Sequence, residues 1–248
     1  TLVQGQHLPA SVAFLTYAPG SPGELVAPTQ CVGGSGPTTA ALPAPVSAQG
    51  TTLDLTSPLP LGPAQLYYPG DPVFVQVVDA SKNTDPQVRE SVVVYVSVVG
   101  TNQKSALQLT ETGPDTGVFT GYVLTTAVAA QAGSCTLLLA PNQHLQLLYS
   151  AGKDAGENAS SEILVSPYNL VFDSVTGQPV SGARISLVDA QSGAPASVTG
   201  RDGVSTFPSS VTSGQTVTDS SGANYSAAAG TYLLPIVGQG EYRLQVEA

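Results

Sequence analysis

GDPVFVQVVDASKNTDPQVRESVVVYVSVVG, from Gly70 to Gly100, sets two valine-rich runs on either side of an acidic turn. LTETGPDTGVFTGY, from Leu109 to Tyr122, follows as a glycine-punctuated continuation. β-Branched residues at nearly every second position suit a pleated, half-buried surface and fit a helix poorly. The stretch reads as two long strands joined by a turn, then a hairpin, and the fold class that follows is all-β with no significant helix.

Outward from this stretch, strand readings recur at spacings typical of a sandwich. They are residues 11–18, 73–78, 91–99, 106–110, 118–125, 135–140, 144–149 and 162–165, with Gly, Pro, Asn and Asp in the turns between them. Residues 125–132 have the composition of a single helical turn. Between Pro19 and Pro63 the chain is dense in Gly, Pro, Ser, Thr and Ala, and only TTLDLTS at 51–57 suggests a strand. A loop of that length inside a compact domain is unusual, so it reads as an excursion that something ties down. Pro167 marks a boundary; beyond it lie a strand, the turn TGQPVSG, a second strand and several shorter ones. In the last of these Tyr242, Leu244 and Val246 alternate with Arg243, Gln245 and Glu247, the pattern of a strand with one buried face. The expected organisation is a sandwich over 1–166 carrying the long loop 19–63, then a smaller one over 167–248.

Composition bounds the function. Charged residues are 10% of the 248 and the formal net charge is −10, against about 25% charged in ordinary soluble domains. An acidic chain is repelled by a phosphate backbone, which sets nucleic acid aside as a partner. No run approaches the roughly 18 apolar residues of a membrane span. Methionine is absent and the chain opens at Thr1, which reads as a processed chain or an excised fragment whose signal peptide is gone. Cys31 and Cys135 are 104 positions apart (135 − 31). Joined, they would constrain the unfolded chain by about 4–5 kcal/mol in the entropy model. The other reading is two buried thiols. The exported character of the composition favours the bridge, with Cys31 on a loop and Cys135 on a strand.

The phrase VFDSVTGQPVSGARISLVDAQSG, Val171 to Gly193, resembles the opening of carboxypeptidase-regulatory-like and collagen-adhesin B-type domains. Thr176, Gly177, Pro179, Val180, Gly182 and Ala183 match their pattern, Ile185 is the next inward apolar residue, and GEYRLQVEA, Gly240 to Ala248, is similar to their final strand. The resemblance implies a prealbumin-like antiparallel sandwich, a fold used for spacers, stalks and assembly modules. Residues 65–165 look like the Ig-like module that precedes such a domain in large, repetitive bacterial cell-surface proteins. Two tandem antiparallel β-sandwiches are therefore expected, Ig-like and then prealbumin-like.

Chemistry-bearing constellations are sparse. Asp79, Asn83 and Asp85 fall within one turn, with Glu111 and Asp115 on a second loop, and short Asp/Asn-rich turns can supply oxygens to calcium. The spacing is not that of an EF-hand, and Asp and Asn are also ordinary turn formers. Asp173, Asp189, Asp202 and Asp219 form a second set of turn residues. Lys82, Lys104 and Lys153 lie in or beside turns, where a solvated lysine is usual, so a Lys–Asn cross-link is disfavoured. His7 and His144 are the two histidines, and no nucleophile–base pair is evident. Tyr67 and Tyr68 could form a small stacking platform, although a strand start suits them better. Asn158 and Asn224 stand in glycosylation sequons.

The sequence therefore reads as a non-enzymatic structural or assembly module of a secreted bacterial surface or filament protein. It needs no cofactor unless calcium, and its partners are copies of itself or neighbouring modules. Residues 1–17, with Val12, Phe14 and Leu15 as the assembly strand, could complete a neighbour's sheet or act as an ordinary first strand. The second reading is an adhesin module that binds a host or matrix ligand through loops such as 19–63.

Overall fold

A computed structural model of the chain describes residues 9–33, 39–47, 50–64, 66–127, 130, 134–140, 143–150, 158–165 and 169–248. His7, Lys153, Pro167 and the turns expected at 141–142 and 151–156 lie outside the described residues. The chain divides into two compact units at 166/167, with 48–51 grouped with the second. The architecture is all-β; a single 3₁₀ turn, Ala80–Lys82, is the one helical element among the described residues.

The first unit holds β1 (Ser11–Tyr17), β2 (Gly23–Glu24), β3 (Gln30–Val32), β4 (Thr39–Ala41), β5 (Leu59–Pro63), β6 (Val73–Val78), β7 (Ser91–Val98), β8 (Lys104–Thr110), β9 (Val118–Thr126), β10 (Thr136–Leu138), β11 (His144–Ser150) and β12 (Asn158–Leu164). They form two six-stranded sheets, in the orders β10-β9-β6-β1-β5-β2 and β12-β11-β7-β8-β3-β4. The β9–β10 pair is parallel and the other pairs are antiparallel. Side-chain alternation decides which face is inward. On β7, Val92, Val94, Val96 and Val98 are buried while Val93 and Tyr95 are exposed. On β11, Leu145, Leu147 and Tyr149 point inward. One apolar cluster joins these to Phe14, Phe74, Phe119 and Tyr122 of the facing sheet, which makes the unit a β-sandwich.

The stretch 19–63 departs from the expected loop. It supplies β2 to β5, which add to the edges of both sheets. Cys31 accordingly sits on a strand, β3, and Cys135 just ahead of β10, the reverse of the expected placement. The two are joined by a disulfide with their Cα atoms 5.9 Å apart, and the bond links one sheet to the other. Residues 51–57 form no strand: Thr52 makes an isolated bridge with Val46, and Asp54 accepts bonds from Thr56 N and Oγ1 to close a turn. Thr125 and Thr126 finish β9, and most of the single helical turn expected at 125–132 lies outside the described residues.

β1 pairs within its own chain in the described structure. It lies between β6, which pairs with residues 11–15, and β5, which pairs with residues 15–17, with Phe14 and Leu15 buried and Val12 half-buried. Val12, Phe14 and Leu15, expected as an assembly strand, are thus placed in a sheet of their own chain in this structure.

The second unit holds β13 (Asn169–Leu170), β14 (Arg184–Asp189), β15 (Val198–Thr199), β16 (Thr206–Phe207), β17 (Ser210–Thr212), β18 (Val217–Thr218), β19 (Asn224–Tyr225), β20 (Thr231–Tyr232), β21 (Ile236–Val237) and β22 (Tyr242–Glu247). They pair as β17-β14-β22, β16-β15-β21, β13-β20 and β18-β19. Ile185, Leu187, Val198, Phe207, Val211 and Tyr225 are buried. The TGQPVSG turn closes through a Phe172–Pro179 bridge, with Gly177 at φ +70° and Gly182 at φ +91°, a region where side chains are strained. The final strand differs from expectation: Tyr242 is half-buried, while Leu244 and Val246 are 51% and 52% exposed. The alternation is real, but β22 is an edge strand, and its apolar face runs past the part of the sheet that is covered.

Replacing both Cys31 and Cys135 with Ser is expected to cost about 2–5 kcal/mol in urea unfolding. Gly121→Ala tests the packing around β9: an added Cβ would lie 2.5 Å from both Leu109 Cδ2 and Thr29 Oγ1. It should destabilise by about 1–3 kcal/mol, read in the same assay.

Candidate functional site

The acidic turn is the densest polar cluster that the sequence singles out. Asp79 follows β6 and caps the 3₁₀ turn, accepting from Ser81 N at 2.9 Å and Ser81 Oγ at 2.6 Å. Its second oxygen accepts from Tyr149 Oη on β11 at 2.7 Å, a bond that crosses between the sheets. Burial works against the Asp79 charge, but the bonds from Ser81 and Tyr149, with Lys82 nearby, hold its carboxyl below the usual range. Glu111 follows β8 and is fully buried. One of its oxygens accepts from Thr116 N at 2.8 Å and Gly117 N at 2.5 Å, and the other from Glu90 N at 3.4 Å. Gly117 has φ +62°, and a Cβ there would lie 3.0 Å from Ala80 Cα, so the two loops meet only because this residue is glycine.

The five residues considered for calcium thus divide among separate tasks. Asp79 and Glu111 fasten their own turns and each other's neighbours. Asn83 Nδ2 donates to Asp115 Oδ1 at 2.7 Å, and Asp85 accepts from Gln87 N at 3.0 Å. Glu90, which the sequence reading passed over, completes the cluster. One of its oxygens accepts from Thr84 N, Thr84 Oγ1 and Asp85 N, and bonds from Thr84 and Asp85 lower its carboxyl to about 2. Asn83 Oδ1 and Glu90 Oε2 are the buried acceptors of this cluster without a hydrogen-bond partner, which makes them the atoms best placed to face a cation. Among the described residues no group of three or more His, Cys, Asp or Glu is arranged to hold a metal ion. What the arrangement does chemically is fix the geometry of two loops.

The second acidic set repeats this use of carboxylates. Asp173 accepts from Val175 N and Thr176 N, Asp189 from Gln191 N and Ser192 N, and Asp202 from Val204 N and Ser205 N. Each closes its own turn in the manner of an Asx motif. Asp219 is buried: it accepts from Ser221 N, Ser221 Oγ and Ala223 N on one oxygen and from Tyr225 Oη on the other at 2.8 Å. Its carboxyl is held low by these bonds against the opposing effect of burial. Burial raises the Tyr225 hydroxyl well above its ordinary range.

The remaining candidates are dispersed. His144 pairs with Glu162 across β11–β12 at 2.9 Å, both about half exposed. Lys104 lies 3.9 Å over the Tyr95 ring. Tyr67 and Tyr68 are buried, so neither offers a face for stacking a ligand; Tyr67 Oη donates to Leu15 O at 2.5 Å. Asn158 and Asn224 are both exposed. Among the described residues no helix is long and apolar enough to cross a membrane.

Tyr149→Phe is expected to cost about 1–3 kcal/mol, because it leaves a buried carboxylate oxygen without its donor. The pH dependence follows the same carboxylates. Groups whose folded pKa is depressed stabilise above their unfolded value and lose that contribution as pH falls through the folded one. For Glu90 the window runs from 4.5 down to about 2, and the lowered Asp54, Asp79, Asp173, Asp189 and Asp219 act with the same sign. The urea midpoint should hold level from neutral pH to about pH 5 and fall progressively below it.

No family model and no curated protein matches the chain. Among solved structures, it is similar to the D312A form of BcpA, the major pilin subunit of Bacillus cereus, at 13% identity over 74% of this chain and 55% of that one, with a TM-score of 0.20. A second BcpA structure is similar at 10% identity over 75% of this chain and 63% of that one, with a TM-score of 0.18. In both cases the match spans less than two thirds of the pilin chain.

Proposed function

We propose that the chain is a structural module of an exported surface or filament-type protein, whose role is to hold shape and to assemble with copies or neighbouring modules. The observation that carries this reading is how the polar chemistry is deployed. The carboxylates and buried tyrosine hydroxyls described above are engaged in bonds that fasten turns and sheets, and the two cysteines are joined across the sandwich. Such bonds strengthen a scaffold and leave it chemically inert. A disulfide closing a 104-residue separation suits an oxidising compartment, and the low content of charged residues limits sites for trypsin-like cleavage. Assembly through β1 is not part of this reading, since β1 already pairs with β6 and β5 of its own chain.

Part of the loop that the adhesin reading prefers, 19–63, is taken up in β2 to β5. Electron microscopy of the purified, oxidised chain, beside binding to glycan and matrix-protein arrays, separates the two. The expected outcome is ordered multimers without ligand capture. A chain that stays monomeric and captures a glycan or matrix protein would replace the assembly module with an adhesin.

A further inference from the structure

β22 pairs with β14 on one side and forms the outer edge of its three-stranded sheet. The direction of its free backbone groups follows from β14. Leu187 N donates to Ser209 O and Ala183 O accepts from Ser213 N, so the odd-numbered residues of that strand bond toward β17. Its even-numbered residues therefore bond toward β22; in agreement, Ala190 N donates to Glu241 O. In the register Ser186–Gln245 and Val188–Arg243, the odd positions of β22 face β14. The N–H and C=O groups of Tyr242, Leu244 and Val246 consequently point outward along the open edge. The side chains of Leu244 and Val246 stand opposite Leu187 and Ile185, both buried, yet are themselves half exposed. An inward-facing apolar row thus continues onto an edge with unpaired backbone, a template for another strand.

The charges on the other face indicate which strand fits. In an antiparallel pairing of β22 with β22 of a second copy, a register that sets Leu244 opposite Val246 also sets Arg243 opposite Glu247, twice by symmetry, with Gln245 on the two-fold axis. The outward-pointing residues then form the hydrogen-bonded pairs, and the Arg–Glu pairs fall at the closer, non-hydrogen-bonded positions. Sliding two residues one way sets Glu241 against Glu247 near the axis register Leu244–Leu244, and sliding a further two sets Arg243 against Arg243, both like-charge contacts. In the favoured register Glu247 lies between Arg184 of its own sheet and Arg243 of the copy.

We propose that β22 is a self-complementary pairing edge through which two copies of the chain join their three-stranded sheets into one of six, related by a two-fold axis at Gln245. This rests on the assembly reading and names a surface for it; the interface is isologous, so it joins copies in pairs. The test is oxidation of the full chain carrying Gln245→Cys, with Arg243→Cys as the register control and sedimentation equilibrium on further variants. The 245 variant should give a disulfide-linked dimer and the 243 variant should not. Leu244→Lys should abolish self-association; Arg243→Glu should weaken it about tenfold, and adding Glu247→Arg should restore it. A 245 variant that stays monomeric under oxidation, or a cross-link that forms at 243 instead, overturns the proposal. Multimers unaffected by Leu244→Lys also overturn it while leaving the assembly reading in place, whereas a chain that never self-associates removes both.

Discussion

The first unit depends on how the Gly- and Pro-rich segment 19–63 is fastened to β9. Thr29 is fully buried, and its Oγ1 accepts from Tyr122 N at 2.8 Å, satisfying a backbone donor on the edge of β9. Tyr122 in turn donates through its hydroxyl to Leu42 O at 3.1 Å and Pro43 O at 3.0 Å. Cys31, two residues after Thr29, is bonded to Cys135 just ahead of β10, the strand paired with β9. Gly121 lets these groups approach, because any side chain there would occupy the space of Thr29 and Leu109. A segment of short strands has too few ladder bonds of its own to hold a position, so these long-range ties set where β2 to β5 can form. The burial of Val26, Leu42, Leu53, Leu59 and Leu61 follows from that placement.

The same economy of means runs through both units. Aspartates close turns by accepting from backbone N–H groups two and three residues ahead, and buried tyrosine hydroxyls donate to carboxylates or carbonyls, far away in sequence in the first unit and six positions away in the second. Such bonds matter less for net energy than for what their loss would leave behind, a buried polar group without a partner. A scaffold so fastened leaves little to rearrange, which fits a role in shape and assembly better than one needing a mobile site. Its open edges are then where interaction would occur, and β22 is the edge with both an apolar row and a charge pattern that matches itself.

The sequence made part of this legible and hid the rest for identifiable reasons. β6, β7, β9 and β11 announce themselves because runs rich in Val, Leu and aromatic residues, bounded by turn residues, suit a strand and fit a helix poorly. β2 to β5 carry no such pattern; two to five residues are too few for periodicity, and their partners lie far off in the chain. Alternation on β22 gave its faces correctly but not its burial, since a period of two says which side chains share a face and nothing about whether anything covers it. In the acidic turn, Asp79, Asn83, Glu111 and Asp115 were visible as turn chemistry. Glu90 was not, because it sits at the mouth of a strand and reaches back to Thr84. Tyr149 donates to an aspartate 70 positions away, a link that no local pattern encodes.

The described strands β2 to β5 of the segment 19–63, with the buried residues that flank them, are structural members of the first unit's sandwich. Native-state amide hydrogen exchange tests it directly at Leu42 and Leu53, whose N–H groups bond to Thr29 O and Pro45 O, and at Cys31 and Leu61. These amides are expected to exchange as slowly as those of β6 and β9, opening only with the whole unit. Exchange at the rate of an unstructured peptide, with β6 and β9 still protected, would contradict the account and return the segment to a loop.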